Sequence, residues 1–368
     1  MNGLLIRHAE IWKNIGDYIQ SLAQEQYWDH IDILVDREYT DTAKSPVPGE
    51  KINLIMNSWW MWHPEHFPPS DDINPLFVSF HITPWAAEGM LSEKGVAYLK
   101  KYQPIGARDY GTMQILERHG IQSYFSGCLT LTLGRSYLHQ GARDKVYFVD
   151  PEYKLFGPRA YKEWFRTLFN LIRWRKKIER LAPKFIFDKK TTFSRISQRF
   201  NKKICATLFF DQYRRYFSDE ILFDAEFIAH EVNVQKDYPT DEACLKYARE
   251  LIDKYSKAKM VITSRIHAAL PSLGLETPVF FTQSWLLDSG EIKGRLDGLM
   301  DFFIYRMKVT DQGLLPATPE MAGLVSNGPI SYTTPLRNSD AFISYRDDLI
   351  SKAEEFVRSC SNSATAEK

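Results

Sequence analysis

The sequence has little cysteine. Cys128, Cys205, Cys244 and Cys360 are the four in 368 residues, widely separated and with no Cys-x-x-Cys pair. That usage argues against a disulfide framework and a structural zinc site, and it fits a reducing compartment. No uninterrupted apolar run approaches the ~18 residues that a bilayer-spanning helix needs. The opening "MNGLLIRHAEIWKN" is too short in apolar length for a secretory signal, so the expected location is the cytoplasm. An excess of one charge is also missing. Lysine plus arginine total 47 against 46 for aspartate plus glutamate, which leaves no global field to attract nucleic acid.

What is present is a soluble-protein composition, 44% hydrophobic and 25% charged, with aromatics abundant at 14%. The chain is long enough for two domains with substantial cores. "GLLIRH", "IDILVDRE", "KINLIMNSWWMW", "PLFVSFHI" and "IQSYFSG" read as strands. Between them lie the helical patterns "GDYIQSLAQEQYW", "SEKGVAYLKKYQ" capped by Ser92, and "YGTMQILERHG" ended by Gly120. A second alternating set begins at "DKVYFVDP" and passes through "EFIAHEV", the helix "TDEACLKYARELIDKYSKA", "KMVITS", "HAALPSLG" and "TPVFFTQS". Alternation of this kind predicts an α/β fold with parallel sheets covered on both faces. We expect two Rossmann-like domains, 1–140 and 141–335, then a C-terminal helix and flexible tail over 336–368. Ligands should then lie at strand carboxyl ends in the cleft between the domains.

One corner of that cleft draws attention. After the strand "KMVITS", Ser264 is the expected helix N-cap, which puts Arg265, Ile266 and His267 in the first turn. Amides there lack intrahelical partners, and the helix dipole favours an anion. Arg265 offers a planar fork for phosphate or carboxylate, and His267 a donor or acid. Pro271 has no N–H for the carbonyl of residue 267 and is expected to kink the helix. On the local pattern alone, anion binding and a merely packed corner weigh evenly. A second corner, Asn14, Gly16 and Asp17, opens the first helix. Gly16 permits close backbone approach to a ligand, and Asp17 reads first as an N-cap.

Other candidates stand at strand ends. His81 closes "PLFVSFHI", and His230 with Glu231 closes "EFIAHEV". Gly127 and Thr130 border the cleft or, in the case of Thr130, cap a helix. Trp59, Trp60, Trp62 and His63 form an aromatic cluster that either stacks on sugar or, more commonly, anchors a loop. "YKEWFRTLFNLIRWRKKIERL" carries Lys162, Arg166, Asn170, Arg173, Lys177 and Arg180 along one stripe, with Trp164, Phe165, Leu168, Phe169, Leu171, Ile172 and Ile178 filling much of the rest. Such a helix either packs on the core or lies on an anionic membrane through residues 161–181.

"NIGDYIQSLA", "PIGARDYGTMQILERHGIQSYFSGCLTLTL" and "AKMVITSRIHAALPSLGLETPVFF", in that order and spacing, resemble the polysaccharide pyruvyl transferase family. "WWMWHPEHFPPSDDINPLFVSFHI" and "GRLDGLMDFF" look like segments of its bacterial members, whereas residues 151 to 220 show no such likeness. The resemblance implies a GT-B-like arrangement and transfer of pyruvate from phosphoenolpyruvate onto two hydroxyls of a sugar, making a cyclic ketal in surface or capsular polysaccharide biosynthesis. Its Arg-x-His falls on Arg265 and His267, with Ser264 and Ile266 beside them. A further substrate-contacting arginine is placed on Arg108. His267 is then either proton donor or phosphate partner, and Asp17 a candidate base. Asn14, Gly16, His81 and Thr130 complete the expected substrate-binding set. Phosphoenolpyruvate is the donor substrate, and neither cofactor nor metal is expected. The partners implied are a sugar acceptor, lipid-linked in such pathways, and no nucleic acid. Two other readings of the same fold are a glycosyltransferase using a nucleotide sugar and a non-catalytic carbohydrate-binding protein.

Overall fold

The computed structural model describes residues 1–8, 12–187, 189–233, 237–283 and 294–366. In the first half, β1 (Gly3–Ile6) leads through β2 (Trp12–Asn14) into α1 (Ile15–Glu25), and β3 (Ile33–Asp36) returns to pair in parallel with β1. β4 (Ile52–Ile55), β5 (Trp59–Trp60), β6 (Ile73–Leu76) and β7 (His81–Ile82) make two more parallel ladders, β4 with β6 and β5 with β7. α2 (Pro84–Met90) and α3 (Glu93–Lys101) follow, the latter capped by the Ser92 hydroxyl as the sequence predicts. β8 (Ile105–Ala107), α4 (Tyr110–Arg118) and β9 (Ser123–Phe125) form a βαβ unit with parallel strands. A 3-10 turn over Leu129–Leu133 and α5 (Gly134–Tyr137) end this half.

The second half is built on one six-stranded sheet. β10 (Lys145–Val149) is followed by α6 (Tyr161–Arg173), α7 (Arg175–Leu181), α8 (Gln198–Tyr213) and α9 (Asp219–Asp224) before β11 (Glu226–Ile228) joins the sheet beside β10. β12 (Glu231–Asn233), α10 (Asp241–Ser256), β13 (Ala258–Thr263), α11 (Ile266–Gly274) and β14 (Val279–Gln283) come next. β15 (Tyr305–Thr310), β16 (Gly313–Pro316), α12 (Pro319–Ser326) and α13 (Ile343–Ala366) complete the chain. The strand order is β11-β10-β13-β14-β15-β16, parallel apart from the β15–β16 hairpin. Met260, Val261 and Ile262 of β13 are all fully buried, as expected of a parallel strand with both faces covered.

These elements make an α/β protein with mostly parallel sheets. The halves share an apolar cluster. Ile15, Tyr18, Ile19 and Leu22 of α1 pack with Val149, Leu245, Ala248 and Val261 of the second half. Each such fully buried aliphatic side chain contributes about 2 kcal/mol, so α1 is anchored to both sheet systems.

Several predicted elements differ. "KINLIMNSWWMW" divides into β4 and β5, which pair with different strands, and the helical segment 161–181 divides into α6 and α7. "PLFVSFHI" is two strands, because the chain leaves β6 at Leu76 and passes through Ser79 at φ 56 before β7. "EFIAHEV" is also two: β11 stays in the main sheet, while β12 turns away to pair antiparallel with β2. The C-terminal segment expected to be a loose tail continues α13 as far as Ala366. The last residue of "TPVFFTQS", Ser284, lies outside the described residues.

Candidate active site

A cleft of about 1050 Å³ opens where β10, β13 and the β2–α1 corner meet. Its wall is set by backbone pairing. β12 lies against β2 with Glu231 opposite Asn14, and the Ile15 amide donates to the His230 carbonyl at 2.9 Å. Those bonds hold the first corner against the second half. The Asn14 side chain accepts from the Gly16 amide at 2.9 Å and caps α1. Asn14 is therefore the N-cap, and the Asp17 carboxylate is left for other partners.

Gly16 faces His267. A Cβ on Gly16 would stand 2.9 Å from the His267 Cβ and 3.1 Å from its Nδ1, so the starts of α1 and α11 meet only because residue 16 has no side chain. The His267 ring is buried, and its Nε2 has no hydrogen-bond partner among the described residues. Burial, then Arg108 and Arg295, push its pKa well below the ordinary histidine value, against the pull of Asp17. The imidazole is therefore neutral near pH 7.

Asp17 accepts from Arg37 at 3.2 Å and from Arg7 at 3.4 Å. Burial alone would raise its carboxyl, but Arg37, Arg7 and His267 together hold it below the usual carboxylate value. Arg265 occupies the N-cap position of α11 and makes no side-chain cap. Ser264, expected there, instead donates its hydroxyl to the Asp150 carbonyl at 2.6 Å. The Thr263 hydroxyl accepts from the amide of this N-cap residue, Arg265, at 2.9 Å. α11 is a continuous helix through Pro271. Arg265 donates through Nε to Asp150 at 2.9 Å and through Nη2 to Glu231 at 3.0 Å. Burial works against its charge, and the two carboxylates outweigh that, raising its pKa.

The structure gathers Asn14, Asp17, Ser264, Arg265, Ile266 and His267 on one cleft wall, together with His230 and Glu231. It does not bring Arg108, His81 or Thr130 to the lining. Arg108 is fully buried, donating to Asp109 at 3.2 Å and to the Arg295 carbonyl at 3.3 Å. The cleft-lining arginine at that place is Arg295, whose pKa is lowered to about 10 by burial and by Arg108. His81 is buried with its Nδ1 2.6 Å from the Asp109 carboxylate. Burial and Arg108 outweigh Asp109 and lower the His81 pKa to about 3. Thr130 is buried in the 3-10 turn, donating to the Cys128 sulfur at 3.2 Å. His230 pairs its Nε2 with the Tyr255 hydroxyl at 2.7 Å, and burial followed by Arg265 lowers it to about 3.

Sequence reading missed Arg7, Arg37, Asp150, Trp85 and Arg295. Asp150 was within reach of the rule used for His81, since it follows the strand "KVYFV" directly. Arg37 likewise follows β3. Arg295 stands beside no strand or helix signal. Of the aromatic cluster, Trp60 is fully buried and anchors the loop, whereas Trp59, Trp62 and Trp85 line the cleft. Trp62 and Trp85 are 53% and 40% exposed, with ring centroids 5.3 Å apart, and both present ring surface to the cleft. Among the described residues no group of three or more His, Cys, Asp or Glu side chains is placed to share a metal ion.

Comparison with known families matches residues 76–282 to polysaccharide pyruvyl transferase. The match includes His81, Arg108, Thr130 and the whole Ser264–His267 corner; the Asn14–Asp17 corner and Arg295 lie outside it. Neither curated proteins nor solved structures gave a match. With more than half of its 368 residues aligned, and with the arginine–histidine corner of that segment facing a cleft, the chain belongs to the polysaccharide pyruvyl transferase family of enzymes.

Proposed function

We propose that the protein transfers pyruvate from phosphoenolpyruvate onto two hydroxyls of one sugar, closing a cyclic ketal, in the assembly of a surface or capsular polysaccharide. The two sheet systems are read as the two halves of a GT-B-like enzyme working across the cleft. One juxtaposition carries the reading: Arg265 and the unpartnered Nε2 of His267 face one cleft, with Arg295 and Arg7 also on its wall. A molecule with a phosphate and a carboxylate on one small carbon frame needs such a cluster of donors.

The chemistry divides among these groups. A proton is delivered to the enol methylene of phosphoenolpyruvate, which makes C2 electrophilic. One sugar hydroxyl attacks C2 and the C–O bond to phosphate breaks. A second hydroxyl then closes the ring. Of the two hydroxyl protons released, one balances that taken by the methylene and the other leaves with phosphate or solvent. His267 is assigned the donor proton, and Arg265 the phosphate. Asp17 is held ionised by its arginines and keeps them oriented, so its first role is electrostatic; as a base it acts only weakly. Trp62 and Trp85 supply faces on which a sugar ring stacks. Among the described residues no disulfide forms, and three of the four cysteines are buried, which fits work in a reducing cytoplasm.

Arg265 already meets Asp150 and Glu231, so phosphate must displace a carboxylate. Glu231 is the exposed one, and Asp150 keeps the guanidinium oriented through Nε. Calorimetry with phosphoenolpyruvate on wild type and Arg265→Ala tests the assignment. Loss of a charge-paired arginine costs about 2–5 kcal/mol of binding, so the variant is expected to bind at least about 30-fold more weakly. Absence of binding to wild type, with and without sugar acceptors, overturns the donor assignment.

A further inference from the structure

The helix α6 is inverted relative to an ordinary surface helix. It buries Trp164, Thr167 and Asn170 against the core and leaves Tyr161, Phe165, Phe169 and Ile172 74%, 79%, 60% and 76% exposed. Spacings of four, four and three put these side chains on one stripe of the helix. Asn170, which the sequence pattern assigns to the basic stripe, therefore belongs to the packed face. The break at Trp174 separates α7, where Lys177 and Arg180 are paired with Asp219 and Asp224 of α9. Lys162, Arg173 and Lys176 have no ion pair among the described residues, and Arg166 reaches Asp211 only at 3.6 Å. Single exposed apolar residues need no explanation, but a contiguous aromatic stripe does.

Charge is concentrated in the same region. From Arg159 to Lys203 the sequence has 15 lysines and arginines against three acidic residues, in a chain whose net charge is +1. Ile196, 74% exposed, belongs to this stretch; Phe193, three residues before it, packs edge-on against Trp164 at 5.2 Å. Aromatic and aliphatic side chains projecting from a basic surround match one environment. Their apolar parts enter the acyl boundary of a bilayer, while lysine and arginine meet anionic head groups. Nucleic acid would use the charge but not the aliphatic Ile172 and Ile196.

We propose that the α6 stripe, with its basic surround, docks the protein on the surface of an anionic membrane. No described helix is long and apolar enough to cross one, so the contact is peripheral. The same stretch reaches the cleft, because Ile186, Phe187 and Lys189 line it. Docking through α6 thus brings the cleft to the membrane surface, where an acceptor carried on a lipid is presented. This last step rests on the proposed function; the docking itself does not.

Flotation with vesicles tests it directly. Wild type is expected to float with vesicles of phosphatidylcholine containing phosphatidylglycerol at low salt, and to stay behind with phosphatidylcholine alone. The double variant Phe165→Ser/Phe169→Ser is expected to partition at least about tenfold less, with its thermal unfolding unchanged. Wild type remaining in solution with the anionic vesicles overturns the proposal. Equal flotation of the variant overturns insertion of the stripe and leaves a purely electrostatic contact. A concentration-dependent dimer abolished by the same substitutions, without vesicle binding, assigns the stripe to a second copy of the chain and overturns the membrane. Phosphoenolpyruvate binding of the variant, expected to equal wild type, separates failure of docking from failure of the cleft.

Discussion

On the proposed function, His267 is suited to a task that it performs only with substrate beside it. Burial, Arg108 and Arg295 keep its ring neutral near pH 7, a form too weakly acidic to protonate an enol carbon well. Phosphoenolpyruvate bound as proposed adds a phosphate and a carboxylate beside the ring and thereby favours the imidazolium. The sign follows from the low pKa in the free protein. The complex binds more protons than the free protein near neutral pH, so binding takes up a proton and weakens as pH rises, by at most about tenfold per pH unit. Calorimetry in two buffers of different ionisation enthalpy should give different apparent enthalpies, and His267→Gln should abolish the difference while still binding. Identical enthalpies in wild type would show that the proton is not taken up on binding and would remove His267 as the donor. Arg265 and His267 were legible because they follow a β-branched run at a strand's carboxyl end. Arg295 was not, because a residue that reaches the cleft from an irregular segment has no periodicity around it.

At the scale of elements, the site depends on two helix starts that meet without a side chain between them. α1 and α11 each follow a strand, and each start was visible in sequence, one from Asn14-x-Gly16-Asp17 and one from Ser264-Arg265-x-His267. That they face each other was not visible. It depends on β12 leaving the main sheet to pair with β2, and the local pattern of "EFIAHEV" is that of one uninterrupted strand. For a related reason Ser264 is not the cap: the helix begins one residue later, with Arg265 as N-cap, and the Ser264 hydroxyl is drawn across the sheet to the Asp150 carbonyl as the Thr263 hydroxyl is to that of Val149. Gly16→Ala tests the apposition. Its Cβ would press on the His267 Cβ at 2.9 Å, an overpacking that costs about 1–3 kcal/mol. Displacing the imidazole by a fraction of an ångström to relieve it is expected to cost activity more, about a hundredfold in kcat/KM. Gly323→Ala is the control, since a Cβ there meets nothing within 4 Å in α12, and a change of about 0.4–1 kcal/mol towards greater stability is expected. Equal, small effects of both substitutions on turnover would mean that α1 does not press on His267 in a way that turnover senses.

For the whole molecule, placing three histidines in the interior links the site to stability. His81, His230 and His267 are buried, with pKa values lowered to about 3, to about 3 and well below the ordinary value. They sit there because the strand ends and helix starts that build the cleft also converge on the core, where burial and Arg108 or Arg265 oppose a second positive charge. In the unfolded chain each titrates near the ordinary value of about 6.5. The unfolded state then binds more protons than the folded one below that pH, so stability rises with pH across the window and is lost as pH falls from about 6.5 towards 3. His81 and His230 each contribute a slope approaching about 1.4 kcal/mol per pH unit, and at about pH 5 the two together remove about 4 kcal/mol, with His267 acting in the same direction. A domain of ordinary stability holds about 5–15 kcal/mol, so acid unfolding should begin well above the range in which carboxylates are protonated. Asp17 and Asp109, both lowered, add their own loss only at still lower pH. Urea unfolding followed from neutral pH to about pH 5 should show the midpoint falling steeply, with net proton uptake on unfolding that grows towards the acid end. His230→Gln, which cannot be charged, should make that slope shallower, whatever it does to the starting stability. A midpoint that stays level over the same range would mean that the folded protein accepts these protons, and that the interior around the cleft is wetter than its packing indicates.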